Sequence, residues 1–81
     1  MIAHPAEHKT VDTSGTLCPL PVIAATKAMD SLAPGQVLKV IATDPGAKAD
    51  IPAWARATGH ILLHQETQGG KLLFWVQRKG P

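Results

Sequence analysis

Thr13-Ser14-Gly15-Thr16-Leu17-Cys18-Pro19-Leu20-Pro21 is the stretch on which the fold turns. Before it, Lys9 to Asp12 reads as a short strand carried by Thr10 and Val11, and Thr13-Ser14-Gly15 reads as a turn. After it the chain becomes alanine-rich with helical spacing. Proline is tolerated in the first turn of a helix, where the N–H groups have no intrahelical partner to lose. Two prolines at alternate positions therefore mark a stiff helix start, with Cys18 at or next to the N-cap. Residues before proline are pushed toward extended geometry, which suits that place. Ser, Thr, Asp or Asn would cap better, by about 1 kcal/mol. A cysteine that breaks a local rule marks Cys18 as a candidate functional residue, framed by Pro19, Leu20 and Pro21.

A helix N-terminus carries about half a positive charge and favours an anion beside it. Thiols so placed can fall from a pKa of about 8.5 toward 7 or below. The position thus predicts an activated thiolate at Cys18. A lone cysteine is often only a small buried residue, and the Pro-x-Pro frame weighs against that reading here.

Outward from this junction, the first helix is predicted over Pro19 to Leu32. Val22, Ala25, Met29 and Leu32 form its apolar face, widened by Ile23 and Ala28. Lys27 falls off that face, as a solvated lysine or as part of a docking surface near the thiol. Pro34-Gly35 ends the helix. Gln36 to Thr43 reads as the central strand, from Val37, Leu38, Val40 and Ile41. Asp44-Pro45-Gly46 breaks it. A second helix is predicted over Ala49 to Thr58, with Asp50 as N-cap, Pro52 in the first turn and Gly59 at the C-terminus. Ile51, Trp54, Ala55 and Thr58 face inward. Asp44 and Asp50 read first as turn and cap chemistry, and second as partner-docking residues. His60 to Thr67 and Lys71 to Arg78 read as strands of a hairpin around Gln68-Gly69-Gly70. There Ile61 and Leu63 oppose Leu62 and His64, and His60 shares a face with His64. Residues 1–8 read as a loose arm in which His4 and His8 are solvated, and 9–79 as a single domain. The order β-α-β-α-β-β predicts an α+β, two-layer α/β sandwich. Both helices cover one face of a four-stranded mixed sheet, and the other face is left partly open.

Composition narrows the function. The chain has 81 residues, room for one small domain. It is 44% hydrophobic and 17% charged, which argues against disorder. A net charge of +2 and three aromatic residues that are not interleaved with basic ones do not point to nucleic acid. A weaker RNA reading rests on Lys27, Lys39, Lys71, Arg78 and Lys79. The apolar runs are too short to span a bilayer, and no signal-peptide pattern opens the chain. One cysteine cannot form an internal disulfide, and an unpaired thiol fits a reducing, cytoplasmic setting.

The same cysteine count limits the chemistry. A disulfide oxidoreductase needs a second, resolving cysteine. A Cys-His hydrolase needs a base near Cys18, and none is visible. Cys18 with His60 and His64 makes a poor metal set, so no metal or cofactor is expected. What remains is covalent carriage: Cys18 takes the outer sulfur of another protein's persulfide and yields it to a second thiolate. An internal cysteine would discharge that cargo. The rival reading is a non-catalytic protein-binding or regulatory module in which the cysteine is structural.

Cys18-Pro19-Leu20-Pro21 resembles the Cys-Pro-x-Pro signature of the TusA/SirA/YhhP family of sulfur carriers. Asp12 to Gly15, Pro34-Gly35, Asp44-Pro45, Asp50-Ile51-Pro52 and Gly59-His60 fall where that family has similar residues, so the resemblance runs from about Thr10 to Lys79. Leu20 stands where the variant typical of tRNA-thiolation carriers has glutamate. The resemblance implies a fold like the C-terminal domain of translation initiation factor 3, with strand order 1-2-4-3, and a persulfide on Cys18. It implies as partners cysteine desulfurases, rhodaneses and DsrE-type sulfurtransferases. The destinations it implies are tRNA 2-thiouridine, molybdenum cofactor enzymes and sulfur oxidation. A monomer without direct nucleic-acid contact is expected.

Overall fold

A computed structural model describes residues 5–80. The elements are β1 (Lys9–Asp12), α1 (Leu20–Asp30), β2 (Val37–Ala42), α2 (Ala47–Thr58), β3 (Ile61–Gln68) and β4 (Lys71–Gln77). They form one sheet of order β1-β2-β4-β3. β1 and β2 are parallel, whereas β4 runs antiparallel to both β2 and β3. This is the α+β architecture and strand order expected.

Both helices bury their apolar stripes on one face. Ala25, Ala28 and Met29 of α1 and Ile51, Trp54 and Ala55 of α2 pack with Leu38, Val40, Phe74 and Val76 of the inner strands. Ile23 does not widen this stripe; it is 45% exposed. α1 stops at Asp30, where the Ser31 and Leu32 N–H groups tighten the last turn onto Ala28 O and Met29 O. Leu32 is buried just beyond it. The Arg78 guanidinium donates to Met29 O at 2.7 Å and so supplies a partner for a carbonyl at the helix end.

The far face is less open than expected. Trp75 is fully buried there beside Val37, Leu73 and Ile41. The Lys39 ammonium lies 5.3 Å from its ring centre, and the His64 ring packs at 5.2 Å while pairing with Glu66 at 2.9 Å. β4 is therefore buried on both faces from Leu73 to Val76.

Three local expectations are corrected. First, α2 begins at Ala47, with Gly46 as N-cap and Pro52 inside the helix. The Asp44-Pro45-Gly46 turn is already wound, since Asp44 O and Pro45 O accept the Ala47 and Lys48 N–H groups. Asp50 thus sits in the first turn and is not the cap. Second, a register shift between Leu62 and His64 places Leu62 opposite Val76 but His64 opposite Trp75. The bulged residue flips the alternation, so Leu62 packs on the helical side and His64 on the far side. His60 instead packs on Trp54 at 5.5 Å, so the two histidines do not share a face. Third, His8 is tied down: it donates its N–H to Val37 O at 2.8 Å and its Nδ1 accepts the Val37 N–H at 3.0 Å. His4 lies outside the described residues.

Candidate functional site

The parallel β1/β2 pair ends at one edge of the sheet, and both helices start there. Four hydrogen bonds clamp the β1–α1 loop to the end of β2. Thr13 donates to Ile41 O through its N–H at 2.7 Å and its hydroxyl at 2.6 Å. The Gly15 N–H reaches Thr43 Oγ1 at 2.8 Å, at a φ of +81° that favours glycine. The Cys18 N–H reaches Asp44 Oδ2 at 3.0 Å. Thr13 is 3% exposed, a buried polar anchor whose hydrogen bonds are made. At the loop's start, Asp12 Oδ1 accepts the Ser14 N–H at 2.9 Å, and hydrogen bonding from Ser14 holds its carboxyl below the usual range.

Cys18 is exposed and lies one residue before Pro19, the N-cap of α1. No side chain caps that helix, and the Cys18–Pro19 peptide is cis. Leu20 opens the helix at 52% exposure, while Pro21 is buried. The edge of a parallel sheet beyond its strand carboxyl ends is where α/β folds place their reactive groups. The thiol is where the sequence puts it, in reach of other molecules.

Its ionisation differs from expectation. Hydrogen bonding to the Asp50 side chain, then burial of the thiolate form, then the charges of Asp50 and Asp44 push the Cys18 thiol up from its ordinary value. Asp44 and Asp50 flank Gly46: a Cβ there would sit 3.1 Å from Asp44 Oδ2 and 3.6 Å from Asp50 Oδ2. Both aspartates are half-buried. Sequence reading preferred turn and cap roles for them and missed this convergence. The signal was available: in a parallel pair, the residues after β1 and after β2 meet at one edge.

A shallow apolar groove of about 270 Å³, lined by Thr16, Leu20, Ile23, Asp12 and Lys27, runs along the β1–α1 loop and the first turns of α1. Leu17 adjoins it in sequence at 68% exposure. Lys27 thus borders the groove; it lies seven residues from Leu20, about 10 Å along the helix. A cavity of about 340 Å³ lies away from the thiol, between the C-terminal halves of the helices and around Trp54, His60, Arg78 and Lys79. The lysines and arginine of the RNA reading do not gather: Lys39 covers Trp75 on the far face and Arg78 holds the end of α1. Among the described residues no three His, Cys, Asp or Glu side chains stand close enough to hold a metal ion. No helix among them is long and apolar enough to cross a membrane.

Comparison with known proteins gives one answer. The family model described as sulfurtransferase TusA matches residues 9–78. The sulfur carrier protein TusA of Allochromatium vinosum is 44% identical to this chain, over 84% of it and 90% of the relative. That of Pseudomonas entomophila is 46% identical, over 86% of this chain and 88% of the relative. The crystal structure of a SirA-like protein from Desulfitobacterium hafniense superposes with a TM-score of 0.77 at 26% identity, covering 89% of this chain and 99% of that one.

Proposed function

The chain belongs to the TusA sulfurtransferase family, whose named relatives are sulfur carriers, and from that premise we propose that it accepts sulfane sulfur as a persulfide on Cys18 and passes it to an acceptor protein. The observation that carries this reading is the position of the thiol. It is the sole cysteine, exposed, and held out on a loop clamped by four hydrogen bonds. A structural cysteine, as in the rival reading of a binding module, would be packed among apolar neighbours.

The transfer is a thiol–disulfide exchange with sulfur as cargo. The donor's persulfide offers its outer sulfur to Cys18. One S–S bond forms as another breaks, the donor leaves as a thiolate, and it takes up the proton that Cys18 gave. No net oxidation occurs. Delivery repeats the step, with the acceptor's thiolate attacking the outer sulfur on Cys18. The donors fitting this chemistry are a cysteine desulfurase, a rhodanese or a DsrE-type sulfurtransferase. tRNA thiolation, molybdenum cofactor maturation and sulfur oxidation are the destinations. In this reading Lys27, which borders the groove, and Asp44 and Asp50 beside the cysteine loop contact such partners, with the chain acting as a cytoplasmic monomer.

Incubation with a persulfidated desulfurase or a thiosulfate-loaded rhodanese, followed by intact mass spectrometry, tests the reading. The chain should gain the mass of one sulfur, lose it to reductant, and gain none as Cys18→Ser. Sulfur uptake by Cys18→Ser would sink the assignment.

A further inference from the structure

We propose that the cavity between the C-terminal halves of the two helices, away from Cys18, is a second binding site, for a small organic anion. Arg78 and Lys79 hold its oxyanion head, and Met29 and Trp54 receive its apolar body. The cavity holds about 340 Å³, within the size range of small-molecule sites. Its lining divides by chemistry. Met29 and Trp54 are buried and supply apolar surface. The ionisable groups are Asp30 at the end of α1, His60 between α2 and β3, and Arg78 and Lys79 after β4. The stretch of α2 that lines the cavity adds none.

The cationic groups are held in place, yet unspent. The Arg78 N–H donates to Gln36 O, and its carbonyl accepts the Gly35 N–H. Its Nη1 donates to Met29 O at 2.7 Å and to Leu32 O at 2.5 Å, which uses both Nη1 hydrogens. The Nε and Nη2 N–H groups have no partner among the described residues. That free edge is a fork which matches a carboxylate or phosphate bidentately. Because the guanidinium is already fixed, little side-chain freedom is lost when an anion binds. The Lys79 stem lies against Gly59, where a Cβ would stand 3.4 Å from Lys79 Cδ. Among the described residues neither cation has an ion-pair partner, although Asp30 lines the same cavity. His60 reads the sign of the local field. Burial is the first cause of its lowered pKa; Lys79 and then Arg78 follow, and each outweighs the opposing Asp30. The cavity is electropositive in spite of its one acid. His60 itself is occupied by Trp54 and the Lys79 N–H, so it reports on the site without forming the anion's cradle.

The experiment titrates the full chain with phenyl phosphate and with benzoate while NMR follows the imidazole Cε1–H resonances. Inorganic phosphate supplies the charge without the body, and benzyl alcohol a body without the charge. The His60 resonance should move saturably with at least one organic anion, and the tighter of the two names the head. Inorganic phosphate and benzyl alcohol should move it less at equal concentration. His64, on the far face, should stay still. A bound anion favours the imidazolium, so the His60 pKa should rise. By linkage, each half unit of rise should make binding about threefold tighter below that pKa than above it. Arg78→Lys keeps a donor for Met29 O but loses the fork, and Lys79→Gln removes no hydrogen bond of the fold. Each should weaken binding by about tenfold, the worth of one charge-assisted hydrogen bond. If Arg78→Lys does not fold, Lys79→Gln decides alone. Undiminished binding in the folded variants overturns the proposal, as does equal movement of His64. So does the absence of a saturable response to either organic anion, or an equally strong response to inorganic phosphate.

Discussion

The two ends of the helical layer each hold an ionisable side chain beside a helix terminus, and both contradict the helix dipole. Cys18 precedes the N-terminus of α1, where the dipole favours a thiolate, yet its neighbours push it toward the thiol. His60 follows Gly59, the C-cap of α2, where the dipole favours an imidazolium. Burial first, then Lys79 and Arg78, lower its pKa and favour the neutral ring, with Asp30 opposing them. A helix terminus contributes typically 0.3–1 kcal/mol at the surface, roughly, and falls off within a turn. A carboxylate or a guanidinium a few ångströms away outweighs it. The dipole says where a charge would be welcome; the nearest side chains decide whether it forms. The ends differ in purpose. His60 is used up by packing on Trp54 and by accepting the Lys79 N–H at 3.0 Å. The Cys18 side chain is exposed and spent on no core contact.

The largest effect on folding should come from breaking the His60 end. His60→Ala removes the ring from Trp54 and leaves the Lys79 N–H without its acceptor, at a cost of about 1–2 kcal/mol. For a domain of this size that lowers the melting temperature by roughly 4–15 °C. The sign of its pH dependence follows from the lowered value. On acidification the unfolded chain takes up a proton near the ordinary histidine value of about 6.5, before the folded chain does. Stability present above that pH is then lost as the pH falls toward the folded value. Thermal melts should show this slope in wild type and a shallower one in His60→Ala; equal slopes would show that His60 is not held neutral. Cys18 has the opposite sign, since its folded value is raised. Its contribution is present below the ordinary thiol value and fades as the pH rises through the folded one.

Much of this contrast was legible beforehand. Cys18-Pro19-Leu20-Pro21 placed the thiol at a helix start because proline's constraints are local and hold in any fold. The inner strands were legible because Val37 to Ile41 and Leu72 to Val76 are apolar on both faces or alternate cleanly. What sequence did not show depends on contacts between segments far apart in the chain. The bulge that parts Leu62 from His64 is set by pairing with β4, and single-strand periodicity is blind to it. His8 looked like tail because its partner, Val37, lies 29 residues away. Asp44 and Asp50 read as turn and cap residues because their local chemistry suits those roles. Their effect on Cys18 arises only when β1 and β2 pair in parallel.

A smaller effect should follow from breaking the Cys18 end at its tether. Asp44→Ala removes the acceptor of the Cys18 N–H, and the cost of one such bond is about 1 kcal/mol. The loop retains its bonds to Ile41 and Thr43, so the fold should persist. Amide exchange at Cys18 should quicken while that at Thr13 stays slow. Equal quickening at both would mean that Asp44 holds the whole loop.

The smallest and most discriminating change is Gly46→Ala. The backbone there, φ −62° and ψ −25°, is open to any residue, so strain is not at issue. Alanine should even stabilise the chain by about 0.4–1 kcal/mol through its stiffer unfolded state. Against that, its Cβ would stand 3.1 Å from Asp44 Oδ2, which must give by a few tenths of an ångström. The two terms nearly cancel, and the melting temperature should move by less than about 4 °C. The thiol midpoint, however, should fall, because the carboxylate that yields moves relative to the Cys18 N–H it holds. A lowered midpoint at unchanged stability would separate the electrostatic role of this corner from its structural one. An unmoved midpoint would mean that the carboxylates keep their grip on the sulfur without the space that glycine leaves.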